Sequence, residues 1–139
     1  MKNPDKTKQV IVVRKDLKMR KGKIAAQVSH SSMKVFFDRI EEIYPDAKMH
    51  KPYKMLIGDI TPEMKEWIEG IFTKVVVGCD SKEELYALKK EAERVNCPVS
   101  LVIDNGLTVV NGVKTPTCIA VGPADSKLVD EITGHLKLL

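Results

Sequence analysis

Lys23, Gln27 and His30 are spaced four and then three residues apart, so on a helix they project from one face. Just before and including Lys23, residues 14–23 carry Arg14, Lys15, Lys18, Arg20, Lys21 and Lys23 against a single acid, Asp16. The segment KMRKGKIAAQVSH, residues 18–30, sets this basic run directly against the start of an Ala-containing helix. Such a junction suits an anion, because the first backbone N–H groups of a helix lack intrahelical acceptors and the flanking cations add to them. A phosphate or carboxylate would be held from both sides. Ala25 and Ala26 keep the adjoining surface small, which lets another backbone or a substrate approach closely. A second polar cluster, Asp104, Gly106 and Thr108, follows an apolar run, and Thr117 opens the next one. Each feature has a plainer reading. Basic runs often only solvate a loop, Asp and Gly favour turns, and Gln27 or His30 could simply make hydrogen bonds at a core edge.

Alternating strands and helices must position these groups. KQVIVVR, residues 8–14, is rich in β-branched residues and predicts a strand covered on both faces, hence a central one. Ile24, Val28, Val35, Phe36, Ile40 and Ile43 then recur at near-helical spacing until Pro45 ends the pattern. Thr61, Pro62 and Glu63 supply an N-cap, a first-turn proline and a first-turn acid for a short helix through Trp67. KVVVG, residues 74–78, predicts a strand, and Ser81 with Glu84 forms a capping box for a helix to about Val95. VSLVI, residues 99–103, and TCIAV, residues 117–121, predict two more strands, and a closing helix runs from Asp125 to Thr133 and stops at Gly134. Such alternation implies an α/β layer architecture with sites where loops leave strand ends.

A chain of 139 residues with 43% hydrophobic residues can bury a core as one domain, residues 1–139, with residues 1–7 expected as a flexible N-terminal extension. A net charge of +4 favours a polyanionic partner without demanding a long duplex-wrapping surface. Cys79, Cys97 and Cys118 are isolated, with no Cys-x-x-Cys pair or histidine cluster, so a reducing setting fits and no metal site is expected. No apolar run approaches the roughly 20 residues of a membrane span, and the first residues lack a signal peptide's apolar region. A cytoplasmic protein without membrane partners is the expectation.

Three separated motifs now carry a resemblance: KMxKGKxAAQxxH at residues 18–30, DxGxT at residues 104–108, and the closing GPADSKLVDEITGHLKLL. With KVVVGCDSKEEL at residues 74–85, they resemble the archaeal and eukaryotic type of peptidyl-tRNA hydrolase, from Lys8 to the C-terminus. The resemblance implies a three-layer α/β/α sandwich on a four-stranded mixed sheet, order 2-1-4-3, with the last strand antiparallel to the others. It implies a hydrolase that cleaves the ester joining a peptide to the 3′ ribose of tRNA, without cofactor or metal, with the tRNA acceptor end as partner and a homodimer compatible with it. Carried over by position, Lys23, Asp104, Thr108 and Thr117 are the catalytic candidates, and Lys18, Arg20, Lys21, Gln27 and His30 the substrate-binding ones. The chain departs from the family pattern at Arg20, usually glycine, at Ser31, Ser32 and Asn105, usually alanine, and in a loop before Thr117 that is one residue longer. That extra residue leaves Thr115 as the alternative to Thr117.

Ester hydrolysis needs a positioned water, a proton acceptor and stabilisation of the oxyanion. Asp104 suits the water, helped if Lys23 holds it ionised, and the threonine hydroxyls suit the ester or terminal ribose. Lys23 itself suits either the oxyanion or the terminal phosphate. A rival reading is a non-catalytic tRNA- or RNA-binding module that grips phosphates with residues 14–23. One tryptophan, three tyrosines and three phenylalanines, without an aromatic-basic strand motif, speak against a base-stacking reader. A P-loop nucleotide site fails on spacing, since Leu17 and Ile24 stand where it needs a glycine and a hydroxyl.

Overall fold

In the computed structural model, residues 6–45, 59–106 and 112–139 are described. The elements alternate along the chain as β1 (Thr7–Arg14), α1 (Lys21–Ile43), α2 (Pro62–Glu69), β2 (Lys74–Cys79), α3 (Lys82–Arg94), β3 (Val99–Asp104), β4 (Thr115–Asp125) and α4 (Ser126–Thr133). The β-branched run of β1 is buried on both faces because its side chains alternate between two cores. Val10 and Val12 meet Leu85, Leu88 and Ala92 of α3 and Val129 and Ile132 of α4. Ile11 and Val13 meet Val35 of α1 and Met64 of α2 on the other side. One sheet between two helical layers is the expected α/β/α sandwich.

The sheet order is β2-β1-β4-β3. β1 pairs parallel with β2, and β4 runs antiparallel to both β1 and β3. This topology brings the carboxyl ends of β1, β2 and β3 to the same end of the molecule as the amino end of β4. The loop entering α1, the last residue of β3 and the first residues of β4 therefore meet there.

Local chemistry sets the helix starts. Thr61 accepts the Met64 N–H at 3.0 Å ahead of Pro62, and Ser81 accepts the Glu84 N–H at 3.0 Å while the Glu84 carboxylate accepts the Asp80 N–H at 2.9 Å. Trp67 is buried, donating its indole N–H to the Thr73 carbonyl at 2.7 Å, so it packs and offers no platform for bases. α1 departs from the apolar spacing expected of it. Its buried residues are Gln27, Ser31, Val35 and Ile40, whereas Ile24, Val28 and Phe36 only flank the core and Ile43 is exposed. The first turns of α1 thus turn an amide and a hydroxyl toward the sheet, over the start of β4.

Two boundaries also differ. β4 begins at Thr115, because Thr115 and Pro116 continue the ladder opposite Asp104 and Ile103 across a register shift. Thr7, expected within a flexible extension, is instead buried in β1 opposite Asp125, and the Lys6 carbonyl accepts the Ser126 N–H at 2.9 Å; residues 1–5 lie outside the described residues.

The departure at Ser32 has a structural counterpart in Gln9, which is fully buried in β1. Gln9 Nε2 donates to the Ser32 and Gly122 carbonyls, both at 3.2 Å, and its Oε1 accepts from Ser32 Oγ at 2.5 Å. Ser32→Ala removes the hydroxyl donor to a buried amide oxygen and is expected to cost about 1–3 kcal/mol, read as a lower midpoint in urea unfolding. An unchanged midpoint would show that the amide finds another donor.

Candidate active site

Lys23 sits one residue after Gly22 in the first turn of α1, and Asp104 is the last residue of β3. Lys23 Nζ donates to Asp104 Oδ1 at 2.5 Å, and the two side chains keep only 16% and 10% of their surface exposed. The other carboxylate oxygen, Oδ2, accepts the Gly106 N–H at 2.9 Å. Gly106 makes this possible by turning at φ +78°, where a side chain's Cβ would also stand 2.5 Å from the Val113 nitrogen. The backbone at Gly106 is thereby bent back onto the acid it follows.

One helical turn beyond Lys23, buried Gln27 brings Nε2 to 3.5 Å from Asp104 Oδ1, while its Oε1 accepts from Thr117 Oγ at 2.5 Å. Thr117 therefore sets which end of the Gln27 amide faces the carboxylate. Its hydroxyl is fully buried behind Gln27, so it bears on the Lys23–Asp104 pair only through that amide. The competing Thr115 donates to the Val113 carbonyl at 2.8 Å and has no bond to this network.

Asp104 is held below the ordinary carboxylate range, first by the hydrogen bond from Lys23, against the opposing cost of burial, then by the Gly106 N–H and the positive charges of Lys23 and His30. His30 is exposed and acts on the acid through space rather than by contact. Thr108 lies outside the described residues.

The basic run divides into committed and free cations. Arg14 forks onto Asp16, at 2.6 Å for the closer contact, and donates to the Pro116 carbonyl at 3.0 Å. Lys15 pairs with Asp80 at 3.2 Å. Lys18, Arg20 and Lys21 are exposed and hold no ion pair among the described residues. They surround an α1 start that has no acid in its first turn and no side-chain cap, so its N–H groups stay open to an anion. By sequence alone Arg14 belongs to the basic run that suits an anion. In the fold it fastens the strand that carries Thr117, a role that only the β1–β4 pairing makes visible. The buried Cys118 thiol, next to Thr117, also donates to the Gln27 carbonyl at 3.3 Å.

A cleft of about 480 Å³ at the opposite end of the sheet is lined by Asp38, Glu42, Glu63, Glu93 and Asp125 against the cation Arg39, an acidic excess that disfavours phosphates. Among the described residues, no group of three or more His, Cys, Asp or Glu is placed to hold a metal ion, and no helix is long and apolar enough to cross a membrane.

The electrostatics carry a sign. Asp104's native carboxyl titrates below its unfolded value, so the stability it lends is present above the ordinary carboxylate range and is lost as the pH falls through the lower native value. Lys23→Met removes the largest cause, and the Asp104 carboxyl is expected to titrate at a higher pH when followed by its carboxyl NMR shift. A titration that stays put would mean that Gly106 and the remaining charges suffice.

A profile of the family described as peptidyl-tRNA hydrolase PTH2 matches residues 7–139. The chain is 41% identical to the peptidyl-tRNA hydrolase of Thermococcus sibiricus over 138 residues, covering 96% of this chain and 98% of the relative. It is 40% identical to that of Thermococcus onnurineus over 136 residues, with 95% and 97% covered. The peptidyl-tRNA hydrolase of Saccharolobus islandicus is 39% identical over 132 residues, with 95% and 98% covered. With matches this long, and with the sheet order and strand directions expected of the resemblance, the chain belongs to the peptidyl-tRNA hydrolase PTH2 family.

Proposed function

We propose that this protein hydrolyses the ester between a peptide and the 3′ ribose of tRNA, releasing peptide and free tRNA. The observation that carries this reading is the Lys23–Asp104 pair, 2.5 Å across, set beside exposed Lys18, Arg20 and Lys21, which hold no ion pair among the described residues, at the open start of α1. Family membership supplies the substrate, and the pair supplies groups fit for an ester.

In this mechanism the terminal phosphates of the tRNA rest on Lys18, Arg20 and Lys21, which brings the acylated ribose to Lys23. Asp104, ionised at neutral pH, orients a water toward the ester carbonyl. Its depressed titration makes it a weak equilibrium base, so it positions the water and passes the proton on rather than storing it. Water attack places negative charge on the carbonyl oxygen, where the Lys23 ammonium and the Gln27 amide N–H groups stabilise it. Collapse breaks the bond to the 3′ oxygen, which takes the relayed proton, and the peptide acid gives its remaining proton to solvent and leaves as a carboxylate. Thr117 acts through Gln27, and Thr108 is assigned by the resemblance alone. An ester is activated enough for direct attack by water, without a covalent nucleophile.

The same reading sets the enzyme in the cytoplasm, supported by three buried free cysteines. It also includes a homodimer, for which the exposed Ile71, Phe72 and Leu138 beside the edge strand β2 offer an apolar surface. Sedimentation should then give twice the chain mass.

Turnover decides the main reading. With N-acetyl-aminoacyl-tRNA in excess, the protein is expected to release many equivalents of free tRNA, whereas a phosphate-gripping module releases none. Asp104→Asn is expected to lower kcat about 10²- to 10³-fold with little change in KM. Arg20→Ala and Lys21→Ala are expected to raise KM and to flatten its dependence on salt by about one unit of log–log slope each. Full activity in Asp104→Asn would remove the site assignment, and salt-independent KM would remove the phosphate contacts.

A further inference from the structure

Ala26, His30, Met33 and Phe37 follow one another along α1 at intervals of four, three and four residues, so they form one stripe on the helix surface. Ala26 and His30 are exposed, and Met33 and Phe37 keep 57% and 49% of their surface open. The Lys34–Asp38 ion pair, at 2.9 Å, and the bond from Ser100 Oγ to Asp38, at 2.7 Å, lie between α1 and the sheet edge, so the stripe faces outward beyond them. It starts within one turn of Lys23. From Ala26 to Phe37 it covers about 16 Å at the α-helical rise, the reach of about five residues of extended peptide.

We propose that this stripe is the track along which the peptide arm of the substrate lies, an inference that rests on the hydrolase reading above. The substrate has two arms that diverge from the ester, and one is a polyanion. Lys18, Arg20, Lys21 and the open N-terminus of α1 claim that arm, so the acyl arm leaves away from them. The surface on α1 that is continuous with Lys23 and runs in that direction changes from small to apolar. Ala26 lets the first peptide unit approach the helix, and His30 borders it. Met33, with an unbranched and polarisable side chain, adapts to varied neighbours, and Phe37 offers a flat apolar face. None of these side chains but His30 can read a sequence by hydrogen bonds, so the track selects for apolar character and length and tolerates many sequences. It recognises an extended, apolar peptide.

Two substrates test this: tRNA carrying N-acetyl-leucine, and tRNA carrying an N-acetylated hexapeptide of leucine and phenylalanine. The wild-type protein is expected to favour the hexapeptidyl substrate in kcat/KM. The Met33→Ser/Phe37→Ser variant is expected to lose about tenfold on it while N-acetyl-leucyl-tRNA is turned over within about twofold of wild type. Phe37→Ser alone should give the same split at smaller size. Equal losses on both substrates, or none on either, overturn the track. A variant that changes sedimentation but keeps the peptide preference assigns the stripe to subunit contact and overturns it as well. Wild-type protein that turns over neither substrate would instead remove the hydrolase reading, so the two failures are told apart.

Discussion

The candidate site depends on one ion pair, formed between residues 81 positions apart in the chain. Lys23 and Asp104 are both mostly buried, so each would be costly without the other, and their union fixes the start of α1 against the end of β3. The supporting contacts all converge on it. Gly106 closes the loop behind the carboxylate, Gln27 approaches it from the helix, Thr117 aligns Gln27, and Arg14 secures the backbone just before Thr117. The antiparallel β4 is what makes this convergence possible, since it returns a strand start to the end of the sheet where the parallel strands finish.

The same topology separates charge across the molecule. Exposed Lys18, Arg20 and Lys21 gather at the end that holds the pair, while Asp38, Glu42, Glu63, Glu93 and Asp125 outnumber Arg39 in the cleft at the other end. Some of these acids are partly neutralised, Asp38 by Lys34 and Glu93 by Lys89. The remaining asymmetry still favours approach of a polyanion from one side, an effect that acts on encounter and weakens as salt rises. A modest net charge of +4 is therefore enough, because its placement does the orienting.

Much of the fold was legible beforehand because its signals are local. The β-branched run of β1, the Ser81–Glu84 box and the Thr61–Pro62 start each follow from neighbouring residues and stand in the structure at or within a residue of their expected places. What was not legible depends on long-range partners. Nothing near Gln27 or Ser31 says that α1 buries polar groups in its early turns, because the reason lies in Thr117 and Cys118, about 90 residues on. Arg14 reads as one more surface cation until β4 lies beside it. Thr115 and Pro116 read as loop because proline cannot donate to a ladder, yet an edge-paired strand start accommodates them. The candidate residues themselves came from joint motif matching, and spacing alone would have left Lys23 and Asp104 as unrelated charges. A methionine such as Met33 reads as core filler from sequence, yet Met33 and Phe37 stand exposed, since exposure cannot be read from helical spacing when a helix also carries polar residues on its buried face.

The central claim is that Lys23 and Asp104 act as one unit in catalysis, and a double-mutant cycle measures this directly. Lys23→Met, Asp104→Asn and the double variant would be compared in kcat/KM on one N-acetyl-aminoacyl-tRNA. If the pair is the functional unit, the double variant loses little more than the worse single variant. Losses that multiply would mean two independent residues that happen to touch, and would contradict the account.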